Sequence, residues 1–309
     1  MPLLYFFEQL RNPVLDFLMS MITHLGEEMV FMGVAMLFLW CVDKYEGYYL
    51  LTIGFLGTQI NQLLKVTFRI ERPWVRDPDF TVVESAVPEA TGYSFPSGHT
   101  QGAVGNFGGI ARWTHRRWVR VVCIVICLLV PLSRMYLGVH TPWDVGVSLL
   151  LAAVLVFALY PLLRKVMQHP KWMKYLLWAM LAWSVGQILY MEFFPFPADA
   201  DGAELFSALE NAYKMAGAVL GFAIAYELDE RLIHYQTGAV WWAQLLKWLI
   251  GLLLSLGVKE GVYLLCGVLP DDPLIKGAAY CLMVLFAGAV WPLTFRWFAA
   301  LGKKNKEEG

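Results

Sequence analysis

Apolar residues run through this chain in stretches long enough to cross a bilayer, and nothing else in the sequence constrains the fold so strongly. A membrane core takes roughly 20 mostly apolar residues per helix, because inside lipid every backbone N–H and C=O must be satisfied within the segment. Nine stretches reach or approach that requirement: 28–42, 45–68, 99–114, 118–138, 142–163, 172–194, 208–227, 240–268 and 274–299. The third is short and glycine-rich and is included for its context. Apolar side chains make up 58% of the 309 residues and charged ones 16%, against about one quarter charged in a soluble domain. The expected fold class is all-α: a polytopic transmembrane helix bundle of about nine spans.

Residues 1–27 are amphipathic and broken by Pro13, the pattern of a segment lying in the membrane interface. The N-terminus has no basic region and no small-residue cleavage site, so a cleavable signal is not expected. The expected division is an interfacial segment 1–27, a catalytic core 28–165, and C-terminal transmembrane helices 166–309. The tail from Lys303 to Glu308 is expected to be solvated. A net charge of −1 gives no basis for a nucleic-acid partner. Cys41, Cys123, Cys127, Cys266 and Cys281 all sit in apolar runs, where thiols behave as small hydrophobes; neither a disulfide framework nor a zinc site is expected.

Basic residues give an orientation. One set of loops carries Arg112, Arg116, Arg117 and Arg120, then Arg164, Lys165, Lys171 and Lys174, then Arg296, Lys303, Lys304 and Lys306. The positive-inside rule makes that set cytoplasmic. The polar stretch 69–98, rich in charge and proline, then faces outward together with His140, and the C-terminus is cytoplasmic. The plasma membrane is the expected location.

Three clusters are expected to meet at that outer surface: Lys65 to Arg72-Pro73, then Pro96-Ser97-Gly98-His99, then Ser133-Arg134 with His140 and Asp144. They supply three fixed cations, two imidazoles, a hydroxyl, a glycine amide and one carboxylate, an inventory suited to binding and transferring a phosphoryl group. The guanidinium fork matches phosphate oxygens, and lysine adds a point charge. Ser97 and Gly98 stand just before a helix start, where free N–H groups and the dipole favour an anion; Gly98 also permits close backbone approach. If a helix begins near His140, His140 and Asp144 at i, i+4 share one face. Asp144 then fixes the imidazole tautomer and leaves the other nitrogen of His140 free to attack phosphorus. His99, on another element, is placed to protonate the leaving oxygen and then activate water. Glu71, Asp77 and Asp79 read as solvated loop carboxylates and not as a metal site. Gln59, Asn61, Gln62, Lys259, Glu260, Glu210 and Lys214 inside the spans read equally well as a headgroup lining or as pairs that pin helices.

The spacing K-x6-R-P, P-S-G-H and S-R-x5-H-x3-D, filled at Lys65, Arg72, Pro73, Pro96 to His99, Ser133, Arg134, His140 and Asp144, resembles the type 2 phosphatidic-acid phosphatase superfamily. That superfamily also includes glucose-6-phosphatases and vanadium-dependent haloperoxidases. The resemblance covers the motif region 65–144 and a core of roughly 28–165, with nothing comparable over 166–309. It implies a helical membrane core, His140 as nucleophile, His99 as acid and base, a metal-independent mechanism and no cofactor. The expected substrate is a lipid phosphate or diphosphate in the bilayer: polyprenyl diphosphate, phosphatidylglycerol phosphate, phosphatidate or a sphingoid-base phosphate. A soluble sugar phosphate, as for glucose-6-phosphatases, and a phospholipid-binding or transport protein are the competing readings. The oligomeric state stays open.

Overall fold

Prolines and short polar side chains punctuate the chain into helices. In the computed structural model, which describes residues 1–197, 200–266 and 272–301, every regular element is helical and no strand occurs among the described residues. Helix α1 is Pro2–Gln9, and α2 is Pro13–Thr23, where Asn12 accepts from the Leu15 amide (3.1 Å). Next come α3 (Glu28–Leu37), α4 (Lys44–Phe68) and the single turn α5 (Pro73–Arg76). After the polar stretch, α6 (Gly98–Ala103) runs through a wide turn at Val104–Gly108 into α7 (Gly109–Trp113). Helix α8 (Arg117–Tyr136) precedes α9 (Pro142–Ala153) and α10 (Tyr160–Met167). The rest is α11 (Pro170–Phe193), α12 (Gly202–Leu228), α13 (Trp241–Cys266), α14 (Pro273–Leu285) and α15 (Phe295–Ala300). Proline stands at the first turn of α1, α2, α5, α9, α11 and α14, where its missing N–H costs nothing.

All nine expected apolar segments are helical where described; the last two residues of 240–268 and the tail 302–309 lie outside the described residues. Fewer of them qualify as spans on length and composition. Four do: Arg117–Tyr136, Pro170–Phe193, Trp241–Cys266 and Pro273–Ala300. Two bent pairs, Pro13–Gly26 with Glu28–Val42 (52°) and Pro142–Ala158 with Tyr160–Met167 (48°), raise the count to six if each is one span. The shortfall from nine has physical causes. Helix α4 is long but diluted by Gln59, Asn61 and Gln62, α12 by Glu210, Asn211 and Lys214, and α6 with α7 is short. Leu128, Leu253, Leu264 and Leu265 stand exposed on α8 and α13, as side chains do when their solvent is lipid.

The chain divides into two units. The first comprises Met1–Met32, Thr52–Pro161 and Pro195–Ala208. Within it α2 and α6 pack on α8, and α6 on α9. Phe7, Leu15 and Met19 of the N-terminal helices pack with Trp74, Val82 and Val83 against buried Tyr136, Leu137 and Val139. Arg11 donates to the Tyr136 carbonyl (3.1 Å) and the Thr81 carbonyl (2.8 Å), tying the N-terminal segment to the polar stretch.

The second unit comprises Gly33–Leu51, Leu162–Phe194 and Leu209–Gly309. Two ion pairs sit in its interior: Lys44 with Asp229, which also accepts from Tyr48 Oη (3.0 Å), and Lys276 of α14 with Glu210 of α12. Glu210 thus joins two helices, and Lys214 Nζ donates to Asn211 Oδ1 (3.4 Å). Lys259 and Glu260 pair at 3.0 Å with Glu260 largely exposed.

Candidate active site

All eight expected site residues fall in the first unit. Arg72, just ahead of α5, is buried and organises two loops. Its Nε donates to the Gly92 carbonyl (3.0 Å), Nη2 to the Thr91 carbonyl (2.7 Å), and Nη1 to the Val139 carbonyl (3.0 Å). Nη1 also lies 3.0 Å from His140 Nε2. Lys65, near the end of α4, is buried and donates to the Tyr93 carbonyl. Two of the three cations therefore hold the 91–93 backbone.

His140 lies outside the helix. The helix begins two residues on, at the start of the expected segment 142–163: α9 starts at Pro142, and Thr141 forms a capping box with Asp144. That box requires extended backbone at the cap residue, which leaves His140 on the preceding loop. Asp144 Oδ2 accepts from the Thr141 amide (2.7 Å) and Ser94 Oγ (2.6 Å), and stands 3.6 Å from His140 Nδ1. This last is ion-pair range and too long for a hydrogen bond. The partners assign His140 as the Nδ1–H tautomer, with the Nε2 lone pair toward Arg72.

Ser97 caps α6 by accepting from the Thr100 amide (3.4 Å), and its own N–H donates to the Asp144 carbonyl (3.2 Å). Both contacts leave the Ser97 O–H available as a donor, and the N–H groups of Gly98 and His99 follow it at the helix start. Gly98 is exposed, and a Cβ there would meet nothing within 4 Å, so no protein contact demands a glycine. His99 sits against the N-terminal segment: a Cβ on Gly26 would come within 2.7 Å of the His99 carbonyl. Arg134, near the end of α8, is fully buried and donates from Nη1 to Thr23 Oγ1 (2.8 Å). Its Nε and Nη2, and Nε2 of His99, are buried with no hydrogen-bond partner. Such groups are rare and costly in a folded interior.

Burial, followed by the charge of Arg72, Arg134 and Lys65, holds the His140 imidazole well below its ordinary pKa, so it is neutral at neutral pH. Burial also pulls Arg72 down to about 10, opposed by the carboxylates of Glu204 and Asp144. The cluster holds more fixed positive charge than negative and contains unpaired donors, the condition for receiving an oxyanion. Among the described residues no group of three or more His, Cys, Asp or Glu side chains is arranged to hold a metal.

Sequence reasoning missed several residues here: Ser94, the carbonyls of Thr91 to Tyr93, and Thr23. The Thr141–Asp144 box was legible as T-x-x-D. Nothing marked Ser94 or Thr23, which act through tertiary contacts.

The family model described as PAP2 superfamily matches residues 45–168, and that of the PAP2 superfamily phosphatase, transmembrane extension, matches 213–304. Phosphatidylglycerophosphatase B of Bacillus subtilis is 32% identical over 163 residues, 48% of this chain and 75% of the relative. The chain belongs to the PAP2 superfamily. Undecaprenyl-diphosphatase BcrC of Bacillus subtilis is 30% identical over 154 residues, 48% of this chain and 76% of the relative. Sphingosine-1-phosphate phosphatase 1 of Rattus norvegicus is 25% identical over 268 residues, 82% of this chain and 60% of the relative. No solved structure matches. As a PAP2 phosphatase the chain is a phosphoric monoester or diphosphate hydrolase, and with its transmembrane extension and apolar helices it is an integral membrane protein.

Proposed function

We propose that this PAP2 phosphatase hydrolyses a lipid phosphate or diphosphate through a phosphohistidine on His140. The observation that carries the reading is the set of buried, unpaired polar atoms, the donors Arg134 Nε and Nη2 with the ring nitrogen His99 Nε2, gathered with the Arg72–His140 contact in one unit. Phosphoryl oxygens satisfy the arginine donors, joined by Arg72, Lys65 and the amides of Gly98 and His99.

The chemistry follows in two in-line displacements. Arg72 Nη1 turns from His140 Nε2 to a phosphoryl oxygen, and the freed Nε2 lone pair attacks phosphorus; the P–N bond forms as the P–O bond to the lipid breaks. The negative charge of the bound phosphoryl group draws a proton onto His99, which gives it to the departing oxygen. For a diphosphate, the leaving group is the lipid monophosphate. Asp144 faces Nδ1–H and stabilises the imidazolium character that develops. Neutral His99 then takes a proton from water, whose oxygen attacks phosphorus as the P–N bond breaks, and phosphate leaves. The three fixed cations neutralise the charge, so the reaction needs no metal.

The reading includes nine spans, with α4, α6 with α7, and α12 crossing or entering the bilayer beside the helices that qualify on composition. Residues 1–27 lie in the interface, 28–165 form the catalytic core, and 166–309 are added transmembrane helices. The site opens on the extracytoplasmic side of the plasma membrane and the C-terminus is cytoplasmic. The substrate enters from the bilayer, as the names of the relatives suggest for those proteins; a sugar phosphate or a purely transported lipid has no comparable support.

Purified protein in detergent tests this against a panel of lipid phosphates, with and without a chelator. Release of inorganic phosphate is expected in both conditions and is expected to vanish in His140→Ala. Activity that survives His140→Ala, or that a chelator abolishes, overturns the reading.

A further inference from the structure

Beside Arg72 lies a cavity of about 640 Å³, lined among others by Arg76, Gly92, Asp201 and Glu204. Its Asp201–Glu204 wall comes from the connection into α12. Pro195–Ala208 belongs to the first unit, although α11 and most of α12 belong to the second. Glu204 stands in none of the three motif clusters, and between the stretches 45–168 and 213–304 that the family models match. Asp201 fixes it by capping α12, accepting from the Ala203 (2.8 Å) and Glu204 (3.3 Å) amides. A Cβ on Gly92 would lie 3.7 Å from Glu204 Oε2 and 3.9 Å from Lys65 Nζ. Less than about 8 Å therefore separates carboxylate from ammonium, comparable to the Debye length at physiological salt. The carbonyl of the same glycine accepts from Arg72 Nε (3.0 Å), and Glu204 is the first charge that offsets the effect of burial on Arg72.

Two carboxylates act on this cluster, and they are held differently. Asp144 is bound by the Thr141 amide (2.7 Å) and Ser94 Oγ (2.6 Å) and faces His140. Glu204 is half-buried and lines the cavity, with Lys65, Arg72 and Arg76 as its cationic neighbours. Once phosphate sits on Lys65 and Arg72, Glu204 faces a like charge across a half-buried gap, and the two repel. The hazard in such a site is product retention. Inorganic phosphate can keep the charge-assisted bonds that the phosphoryl group made, and these are among the strong ones. Binding that is equal for all bound states lowers KM without speeding chemistry, and slow product release then limits turnover. A fixed negative charge beside the cations weakens that uniform binding.

We propose that Glu204 is a positioning residue for product release: a resident counter-charge that balances Lys65 and Arg72 between turnovers and repels the inorganic phosphate formed in the second displacement. This rests on the phosphatase reading above and adds to it the step that empties the site. Glu204 acts through the two cations and makes no bond to the phosphoryl group. No covalent bond forms or breaks in this step. As phosphate departs, Lys65 and Arg72 exchange its charge for that of Glu204, which the cap at Asp201 keeps in place.

The test measures inhibition by added inorganic phosphate in detergent micelles. The readout is the dephosphorylated lipid product, from whichever of the lipid phosphates proposed above the native protein hydrolyses. The inhibition constant for phosphate is expected to fall roughly tenfold in Glu204→Gln, as for one unit charge removed at this range from a half-buried site, and further in Glu204→Lys. KM should fall with it, while kcat stays level or drops. Glu204→Asp keeps the charge and should stay near the native values. The isosteric and the charge-reversing variants are read separately, so one folded variant decides. A merely structural role would lower kcat and leave the inhibition constant unchanged or higher. An inhibition constant that stays at the native value or rises in these variants overturns the inference while the phosphatase reading stands. Failure of the native protein to hydrolyse any of those lipids overturns the phosphatase reading itself.

Discussion

Replacing Arg134 with methionine should separate stability from function. Arg134 is fully buried, yet only Nη1 has a hydrogen bond, to Thr23 Oγ1 at 2.8 Å, while Nε and Nη2 have none. A buried unpaired donor costs about 1–3 kcal/mol, and a hydrogen bond from a charged group contributes about 1.5–3 kcal/mol. Methionine fills similar volume, removes both orphans and the buried charge, and forfeits one bond. The net expectation is a gain of about 1–3 kcal/mol, in the range seen when buried charges are replaced by apolar side chains. Activity should move the other way. Loss of one donor aimed at charge developing in the transition state costs about 10²–10³ in kcat, and a guanidinium offers two. Denaturant unfolding in detergent gives the first number and phosphate release from a lipid phosphate the second. A variant that is markedly less stable than the native protein yet within tenfold of its activity would refute the argument, since Arg134 would then be structural.

Other expectations follow from the same geometry. His140 has its pKa pushed well below the ordinary histidine value by burial and then by Arg72, so the unfolded chain takes up this proton first. Stability that is present above roughly pH 6.5, the ordinary value, should fall as pH drops below it, and His140→Ala should flatten that dependence in melts at pH 5 and 7. Arg72→Gln removes one of the charges that disfavour the imidazolium, so the acidic limb of the activity profile should move to higher pH, beyond any loss in overall rate. Gly26→Ala places a methyl group within 2.7 Å of the His99 carbonyl; the strain should destabilise by about 1–3 kcal/mol and lower kcat by displacing His99, both measurable on one purified sample. Ser94→Ala deletes the 2.6 Å bond to Asp144 and should reduce kcat by roughly tenfold, the equivalent of about 1.4 kcal/mol, with KM little changed.

The apolar runs carried most of the fold: each of the nine is helical where described, because a segment that cannot pair its backbone outside itself has little alternative. Counting spans was harder. The polar residues Gln59, Asn61 and Gln62 that make α4 look marginal belong to a helix that ends at the candidate site, so hydropathy and function pull in opposite directions there. The helix start at Pro142 was legible in Thr141-Pro142-Trp143-Asp144, and the expected segment 142–163 begins there. Fixed spacing carried Lys65, Arg72, Arg134 and both histidines. Thr23, Ser94 and Glu204 were invisible, because their meaning comes from which distant backbone they meet and no local pattern records that. The role of the N-terminal helices was hidden for the same reason: Arg11, Tyr5 and Asp16 bind residues more than 70 positions away.

The claim on which the mechanism depends is that phosphorus is attacked twice, first by His140 Nε2 and then by water. The stereochemical course at a phosphorus made chiral with oxygen isotopes and sulfur reads this directly. Two in-line displacements give overall retention of configuration in the released thiophosphate. Inversion would mean a single attack by water and would remove the phosphohistidine from the account.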